Sequence, residues 1–262
     1  MRPPSPPHHA PWRWAACGLL AGLLPTLLVY APAAWLAQGV DQASGGRVQL
    51  AQARGTVWTG SAQLVLTGGA ASQDRSALPG RVHWQIRPRW NGFQTQVHAD
   101  CCATAPLQAQ LTVDGGRLQL ALANGGLRLP ATLLEGLGAP WNTLQAQGQL
   151  ALQTQDLAFQ WNAGRLALQG RLQLDALGVS SRLSTLRPMG SYRLVLQGGD
   201  LPTLALSTLE GALQLQGSGQ WVGQRLRFTG EASASPEREA ALSNLLNLIG
   251  RRQGARSIIN VG

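Results

Sequence analysis

Hydrophobic and polar residues alternate through most of the chain after residue 46, and glycine pairs, Asn-Gly and Asp-Gly steps interrupt the alternation. A period of two places successive side chains on opposite faces of a β-strand. Leucine supplies most of the apolar positions, with Gln, Arg and Thr between them. We therefore predict a mainly β domain whose strands are joined by short turns into a long, curved antiparallel meander.

The clearest hairpin is predicted in "GRVHWQIRPRWNGFQTQVHAD", residues 80–100. A two-residue loop at Asn91-Gly92 would place Ile86 opposite Val97, with one face of the hairpin apolar throughout. The other face would carry histidine, glutamine and arginine. The register is expected to follow from which face is buried.

Two segments have helical character and could cover part of the sheet. The short one is "PATLLEGLG", residues 130–138, and the longer one follows Ser235, a predicted N-cap, with Pro236 at the first helical position. Gly250 is expected to end the longer helix, and the residues after it to form a last strand at the sheet edge. Its apolar stripe comprises Leu242, Leu245, Leu246 and Ile249.

So little helix leaves a long apolar sheet face to be buried in another way. The sheet could close into a barrel or a sandwich, or it could remain a half-barrel or groove occupied by another molecule such as a lipid. Of these, we favour a closed β layer filled by its own leucines, because large exposed apolar patches are uncommon.

The N-terminal segment has the character of a membrane span. It contains no charge between Trp14 and Leu36, a length sufficient to cross a hydrocarbon layer of about 30 Å. Arg2 and Arg13 precede it and Asp41 follows, so the positive-inside rule predicts a cytoplasmic N-terminus. The alternative is a cleaved signal peptide, because Ala-Pro-Ala at 31–33 resembles a cleavage site. The predicted anchor residues include Trp14, Leu20, Leu24, Leu28 and Leu36.

The predicted domain organisation follows from this span. We expect a cytoplasmic tail at 1–13, a single transmembrane helix at 14–36, a linker at 37–46 and a periplasmic β-rich domain at 47–262. The expected location is the inner membrane of a Gram-negative cell, with one pass and the C-terminal domain in the periplasm.

Composition and charge argue against nucleic acid as a partner. All 21 basic residues are arginines, and with 12 acidic residues they give a formal net charge of +9. Nucleic-acid binding requires basic residues gathered on one face with aromatic residues between them. Here the arginines are scattered along the strands, so attraction to anionic lipid or simple solvation explains the charge better.

The sequence offers little catalytic chemistry. His83 would lie opposite Asp100 in the predicted hairpin, and such pairs occur in acid–base sites, yet no nucleophile lies beside them. A solvent-facing cross-strand pair is the favoured interpretation. No zinc-ligand spacing, phosphate-binding loop or dinucleotide fingerprint is present in the sequence. We expect no enzyme activity, no cofactor and no metal.

The adjacent Cys101 and Cys102 allow three interpretations. In an oxidising compartment they could form a redox-active pair, a structural bridge, or remain two small buried thiols. The two structural interpretations together are favoured over the redox role.

Several stretches resemble the type II secretion system protein N family. They are the short tail with its single anchor, "ARGTVWTGSA" at 53–62, "LSTLRPMGSYRL" at 183–194, and the long uninterrupted tail from Gly211 to Gly262. The resemblance implies an inner-membrane subunit of the apparatus that exports folded proteins from the periplasm. It also implies partners among the other subunits of that apparatus. The family's fold is similar to β-groove proteins that handle lipids, which keeps a lipid-binding or lipid-transfer role as the alternative.

The C-terminal segment is the predicted interaction surface, because it carries the most specific part of the resemblance. The segment could bind another subunit, and its arginines could receive an acidic partner or phosphate head groups. For the arginines themselves, solvated charges that complement the helix C-terminus are the favoured interpretation. The candidate interaction residues are Leu242, Leu246, Ile249, Arg251, Arg252 and Arg256.

Overall fold

One antiparallel sheet dominates the computed structural model, which describes residues 12–103, 105–162, 165–223 and 225–262. Over these residues the sheet contains sixteen strands, and four α-helices and two 3₁₀ segments accompany it. The predicted mainly β fold is therefore confirmed.

The helices are α1 Trp12–Val29, α2 Ala33–Ala43, α3 Trp141–Leu144 and α4 Glu239–Ile249, and the 3₁₀ segments are Ala131–Leu137 and Pro236–Arg238. The strands are β1 Val48–Gly55, β2 Thr59–Thr67, β3 Arg75–Ala77, β4 Val82–Arg89, β5 Gly92–Ala99, β6 Leu107–Asp114, β7 Arg117–Leu122, β8 Gly125–Pro130, β9 Gln147–Asn162, β10 Arg165–Ser180, β11 Gly190–Gly199, β12 Thr203–Gly211, β13 Leu213–Val222, β14 Arg225–Ala234, β15 Arg251–Gln253 and β16 Arg256–Val261.

Strand order follows chain order almost throughout. The order is β1-β2-β4-β5-β6-β7-β9-β10-β11-β12-β13-β14-β16-β15, with β3 paired beside β4 on β2 and β8 paired beside β7 on β9. The predicted antiparallel meander is confirmed. Among the described residues β1 and β15 do not pair with each other, so the sheet is open and the favoured closed β layer is wrong. Alternation fixes which face of a strand is apolar but carries no information on whether the two edge strands meet.

The alternation places nearly all leucines on one side of the sheet. One apolar row crosses the neighbouring strands β5, β6, β7, β9 and β10. It consists, in that order, of Phe93, Leu111, Leu120, Phe159 and Leu168, each lying opposite the next. The residues between them, such as Gln119 and Gln160, form polar pairs on the other side. We call these the apolar face and the polar face.

The β4–β5 hairpin has a different register from the predicted one. The loop is Trp90-Asn91, Arg89 pairs with Gly92, and Ile86 lies opposite Thr95 instead of Val97. The shift of two residues keeps the side chains of the paired strands on their predicted faces, while Trp90, predicted to lie opposite Phe93, moves into the loop. A Cβ on Gly92 would lie 1.9 Å from the carbonyl oxygen of Leu111, so this glycine serves close strand contact with β6 rather than the loop.

Three separate elements cover parts of the apolar face. Near the N-terminus, Ala33 packs on Ala62 and Trp84. The 3₁₀ segment 131–137 contributes Leu133 to a cluster with Leu78 and Ala99. The third element is α4, described with the candidate surfaces. The predicted short helix near 130–138 is thus confirmed as a 3₁₀ segment.

The uncharged N-terminal stretch does not form one helix. It divides into α1 and α2 around Tyr30–Pro32, because Pro32 lacks a backbone N–H and disfavours helical geometry at Ala31. The single transmembrane helix predicted at 14–36 is therefore not confirmed, and this part of the chain forms two helices. Most of the segment 37–46, expected to be a linker, lies in α2. Within the described residues, none of the helices combines the length and apolar character needed to cross a membrane.

The first hairpin of the sheet is bonded to the end of α1. The indole Nε1 of Trp58 donates a hydrogen bond of 2.8 Å to the carbonyl oxygen of Leu28. The amide of Val57 donates one of 2.8 Å to the carbonyl oxygen of Ala31, and Pro32 forms a β-bridge with Thr56. The β1–β2 turn therefore lies directly beside the C-terminus of α1.

Candidate interaction surfaces

The apolar face is only partly covered by the chain itself. Toward the α1 end of the sheet its side chains remain accessible: Phe93 is 40%, Val113 53%, Trp161 37% and Leu166 57% exposed. The rings of Phe159 and Trp161 stack with centroids 6.1 Å apart. Exposed patches of this kind on soluble proteins mark sites where another apolar surface binds.

Farther along the sheet, glycine replaces leucine on the same face. Gly217 lies opposite Gly230, and the ring of Phe228 lies across both, since a Cβ on Gly217 would be 2.4 Å from Phe228 Cζ. This aromatic covering of strand glycines fills the space their missing side chains would leave. Phe228 therefore covers the part of the apolar face where Gly217 and Gly230 lie.

On the polar face, Asp175 and Arg193 form a cross-strand ion pair. Arg193 Nε and Nη2 donate to the two carboxylate oxygens at 2.7 and 2.8 Å, and Gln173 Nε2 donates to the same carboxylate. Asp175 is buried. The hydrogen bond from Arg193 holds the pKa of Asp175 below its ordinary value against the opposing effect of burial. The arrangement is a structural pairing between β10 and β11 and leaves no free acid for catalysis.

The predicted stripe of the C-terminal helix faces the sheet. Leu242 and Leu246 are fully buried, and Leu245 is 2% exposed. They pack against a cluster that includes Met189, Tyr192, Leu213 and Ala232, with Ile249 half-buried at its margin. The carbonyl oxygen of Leu246 also accepts a hydrogen bond of 2.6 Å from Ser257 Oγ. These leucines hold α4 on the sheet, and its outer face presents Asn244, Asn247 and Leu248.

The three predicted arginines differ in their surroundings. Arg252 forms an ion pair of 2.6 Å with Glu239 at the start of α4, and Arg256 forms one of 3.1 Å with Glu231. Arg251 is exposed at the edge strand β15. Of the three, Arg251 is the one that forms no ion pair among the described residues, which leaves its guanidinium for a partner.

The last strand lies where it was expected. β16 pairs with β14, and Gly230 faces Ile259, so the chain after Gly250 joins the end of the sheet. The segment β15 then forms the outermost strand by pairing with β16. Pro236 begins the 3₁₀ segment that precedes α4, with Ser235 at its N-cap but no side-chain hydrogen bond.

The predicted anchor residues divide between described and undescribed side chains. Leu28 is 64% exposed, and Leu36 packs against the cluster of Ala33 and Trp84. The side chains of Trp14, Leu20 and Leu24, and the whole of residues 1–11, lie outside the described part of the chain.

The candidate chemical groups form a solvent-facing pair and a disulfide. His83 Nε2 lies 3.3 Å from Asp100 Oδ2, diagonally across the β4–β5 ladder, and both side chains are 49% exposed. Cys101 and Cys102 are bonded to each other in the turn after β5. Across the described residues no three His, Cys, Asp or Glu side chains are grouped closely enough to hold a metal ion.

Sequence reasoning missed the contacts that join distant elements. Trp58 and Leu28 are thirty residues apart, and no periodicity relates them. Asp175 and Arg193 did leave a signal in the sequence, because each places a charge at a polar position of a predicted strand. Their pairing could be recognised only once the register of β10 and β11 was known.

Comparison with known proteins gives one match. The model of the family described as type II secretion system (T2SS), protein N, matches residues 46–259, which is nearly the whole sheet together with α4. No curated protein and no solved structure matches the chain.

Proposed function

This chain belongs to the type II secretion system protein N family, and from that premise we propose that it is a non-enzymatic inner-membrane subunit of the secretion apparatus. Membership gives it a role in type II secretion and implies contact with other subunits of the system. The match over residues 46–259 is the observation that carries the proposal. The remaining steps concern where the protein lies and which surface it offers.

The proposed membrane location is supported by the N-terminal segment. The sequence is uncharged from Trp14 to Leu36, and Arg2 and Arg13 lie on the N-terminal side of this segment. On α1, Leu19, Leu23 and Leu28 are 63%, 51% and 64% exposed, so this helix carries apolar surface that no part of the described chain covers. Lipid would cover that surface, with the sheet on the periplasmic side.

The structure of the α1–α2 junction supports an uncut segment over a cleaved signal peptide. Ala31 and Ala33 are 5% and 2% exposed, and the β-bridge between Pro32 and Thr56 joins the junction to the sheet. A peptidase requires an accessible, extended site, so folding would protect this one. Mass spectrometry of the purified protein tests this: the intact mass is expected, and a chain beginning near residue 34 would contradict it.

The outer face of α4 and Arg251 form the proposed subunit contact. Leu248 is 49% exposed there, beside the accessible Arg251. An apolar side chain flanked by amides and a guanidinium suits a protein partner, because interface centres are enriched in apolar residues and arginine. The surface lies within the region that matches the family.

A photo-crosslinking experiment in cells tests this contact. A benzophenone amino acid at position 248 is expected to capture another secretion subunit after irradiation. Position 177 is the matched control, because Leu177 is also an exposed leucine, at 39%, but lies on β10. Equal capture at both positions, or none at 248, would contradict the proposed surface.

Secretion itself is tested by deleting the gene and restoring it with variants. The deletion is expected to leave exoprotein in the periplasm, and the wild-type chain to restore its release. Leu248→Asp together with Arg251→Glu should fail to restore release although the protein accumulates normally. Undiminished release from the deletion strain would contradict the subunit role.

A second candidate function is lipid binding on the apolar face. The observation that favours it is the exposure of Phe93, Trp161 and Leu166 on the apolar face, where the adjoining positions are occupied by leucine and phenylalanine. Acyl chains of a phospholipid match this chemistry, since the face offers apolar contact along several strands. Native mass spectrometry of the chain extracted in mild detergent would detect retained phospholipid.

The lipid function has its own control. Leu166→Gln adds a polar group at a 57% exposed position of the apolar face and should reduce retained lipid. Ala167→Gln changes the neighbouring residue, which is on the polar face, and should leave the amount of retained lipid unchanged. Absence of lipid from the wild-type chain would exclude this function while leaving the subunit role intact.

A further inference from the structure

The β4–β5 hairpin carries a tryptophan that nothing in the described chain covers. Trp90 occupies the two-residue loop and is 104% exposed. Arg87 and Arg89 precede it on the same hairpin and are also exposed. We call Arg87, Arg89 and Trp90 the Trp90 tip. Burial of this indole against a binding partner would remove its apolar ring from water, which is favourable.

The Trp90 tip lies at the end of the sheet to which α1 is attached. Trp58, bonded to the carbonyl oxygen of Leu28 at the end of α1, also stacks on Phe93 with ring centroids 6.3 Å apart. The carbonyl oxygen of Trp58 accepts a hydrogen bond of 2.7 Å from the amide of Ile86 in β4. Direct contacts through Trp58 therefore connect the end of α1 to the β4–β5 hairpin.

Other exposed aromatic residues accompany it. Tyr30 follows α1 directly and is 71% exposed, Trp35 lies in the first turn of α2 and is 49% exposed, and Phe93 is 40% exposed. Tyrosine and tryptophan concentrate where a membrane meets water, because their rings are apolar and their polar atoms reach the head groups.

This end of the hairpin carries an excess of positive charge. Arg87 and Arg89 are exposed beside Trp90, while the adjoining β6–β7 turn adds Asp114 and Arg117, which lie opposite each other. Basic side chains close to a membrane gain attraction from anionic phospholipids, and an arginine guanidinium binds a phosphate in bidentate fashion. Protein interfaces also use arginine and tryptophan. The position of the tip favours lipid, because it lies at the end of the sheet that is joined to α1, the helix with the exposed leucines.

We propose that the Trp90 tip inserts into the head-group region of an anionic membrane beside α1, as a second attachment point that fixes how the sheet stands on the bilayer. The inference rests on the proposed membrane location and adds a contact to it. Trp90 lies at the boundary between head groups and acyl chains, and Arg87 and Arg89 bind phosphates. The hairpin then cannot rotate freely about the end of α1.

Depth-dependent quenching tests the contact with the full-length chain in lipid vesicles. Trp90→Cys is labelled with an environment-sensitive dye after Cys17, the free cysteine, is replaced by alanine. Leu209→Cys is the control, because Leu209 is 43% exposed but lies toward the opposite end of the strands. In vesicles of phosphatidylglycerol and phosphatidylethanolamine, the dye at 90 should be quenched by shallow spin-labelled lipid, and the dye at 209 by aqueous iodide.

The arginines and the lipid charge supply the second readout. Arg87→Gln with Arg89→Gln should lower the equilibrium constant for insertion of the tip by about 30-fold, at about 1 kcal/mol for each basic residue near an anionic surface. For the chain that keeps Arg87 and Arg89, replacing the anionic vesicles by phosphatidylcholine vesicles should lower this equilibrium constant by a similar factor.

The outcomes separate the two proposals. If the chain fails to float with vesicles of either composition, the membrane location itself is overturned. If it floats but position 90 is as accessible to iodide as position 209, only the tip contact is overturned. A benzophenone at position 90 that captures a secretion subunit in cells, in place of lipid, would also overturn the tip contact.

Discussion

Asp175 and Arg193 lie directly opposite each other on β10 and β11, and two hydrogen bonds of 2.7 and 2.8 Å join the carboxylate to the guanidinium. The pKa of Asp175 is lowered by Arg193, so folding favours the charged carboxylate. A group whose pKa is lower in the folded state adds stability above its unfolded pKa and loses that contribution as the pH falls through the folded value. The ordinary value is 3.8.

We therefore expect Asp175→Asn to lower the melting temperature at neutral pH, with the difference from wild type shrinking below pH 3.8. Circular dichroism melts across that range measure both effects. Asp114→Asn, at the exposed end of β6, is the control and should show no comparable difference. A constant difference at all pH values would show that the carboxylate charge is not the cause.

The hydroxyl of Tyr192 should be dispensable for stability. It is buried and has no hydrogen-bond partner among the described residues, and burial raises its pKa. Tyr192→Phe removes an unsatisfied polar atom and should leave stability unchanged or raise it by about 1 kcal/mol. Tyr192→Ala, which also removes the ring, should lower it by about 3–5 kcal/mol. Urea unfolding of both variants checks the contrast, and a large loss in Tyr192→Phe would reveal a bound partner for the hydroxyl.

The two faces of α4 should respond differently to truncation. Leu246 is fully buried and Leu248 is 49% exposed. Leu246→Ala leaves a cavity and should lower the free energy of unfolding by about 2–5 kcal/mol. Leu248→Ala should change it by less than about 0.5 kcal/mol. Urea midpoints of the two variants measure the difference, and equal values would mean that α4 does not pack on the sheet as described.

Gly217 should not tolerate a methyl group. Its Cβ would meet Phe228 Cζ at 2.4 Å and Gly230 Cα at 2.9 Å, so both the ring and the neighbouring backbone would have to move. We expect Gly217→Ala to destabilise the sheet by about 1–3 kcal/mol, as overpacking does. Gly126→Ala is the matched strand control, because its nearest atom lies at 3.5 Å. Thermal melts of the two variants measure the difference, and equal melting temperatures would contradict the close contact between Gly217 and Phe228.

The sequence predicted the meander because leucines at a period of two can be buried on one side only. It predicted the covering role of α4 because Leu242, Leu245 and Leu246 share one helical face. It did not predict the open sheet, because closure depends on whether β1 reaches β15. The hairpin register at Gly92 depended on the approach of β6, a contact outside the local pattern.

The candidate surface was predicted in location but not in detail. The sequence indicated the C-terminal segment, yet it assigned Leu242 and Leu246 both to packing on the sheet and to binding a partner, and the structure shows them buried. It also could not show that Arg252 and Arg256 have acidic neighbours in Glu239 and Glu231. Those neighbours come from other elements. The accessible residues, Leu248 and Arg251, follow only once the packing of α4 is known.

Because the strands pair in nearly the order in which they are synthesised, each new hairpin finds its template already in place. A chain that emerges with its N-terminus first can therefore build the sheet progressively, without waiting for distant segments to arrive. Assembly would end when α4 and β16 dock, and a partly emerged chain would display an unpaired edge strand to whatever chaperone or subunit is nearest.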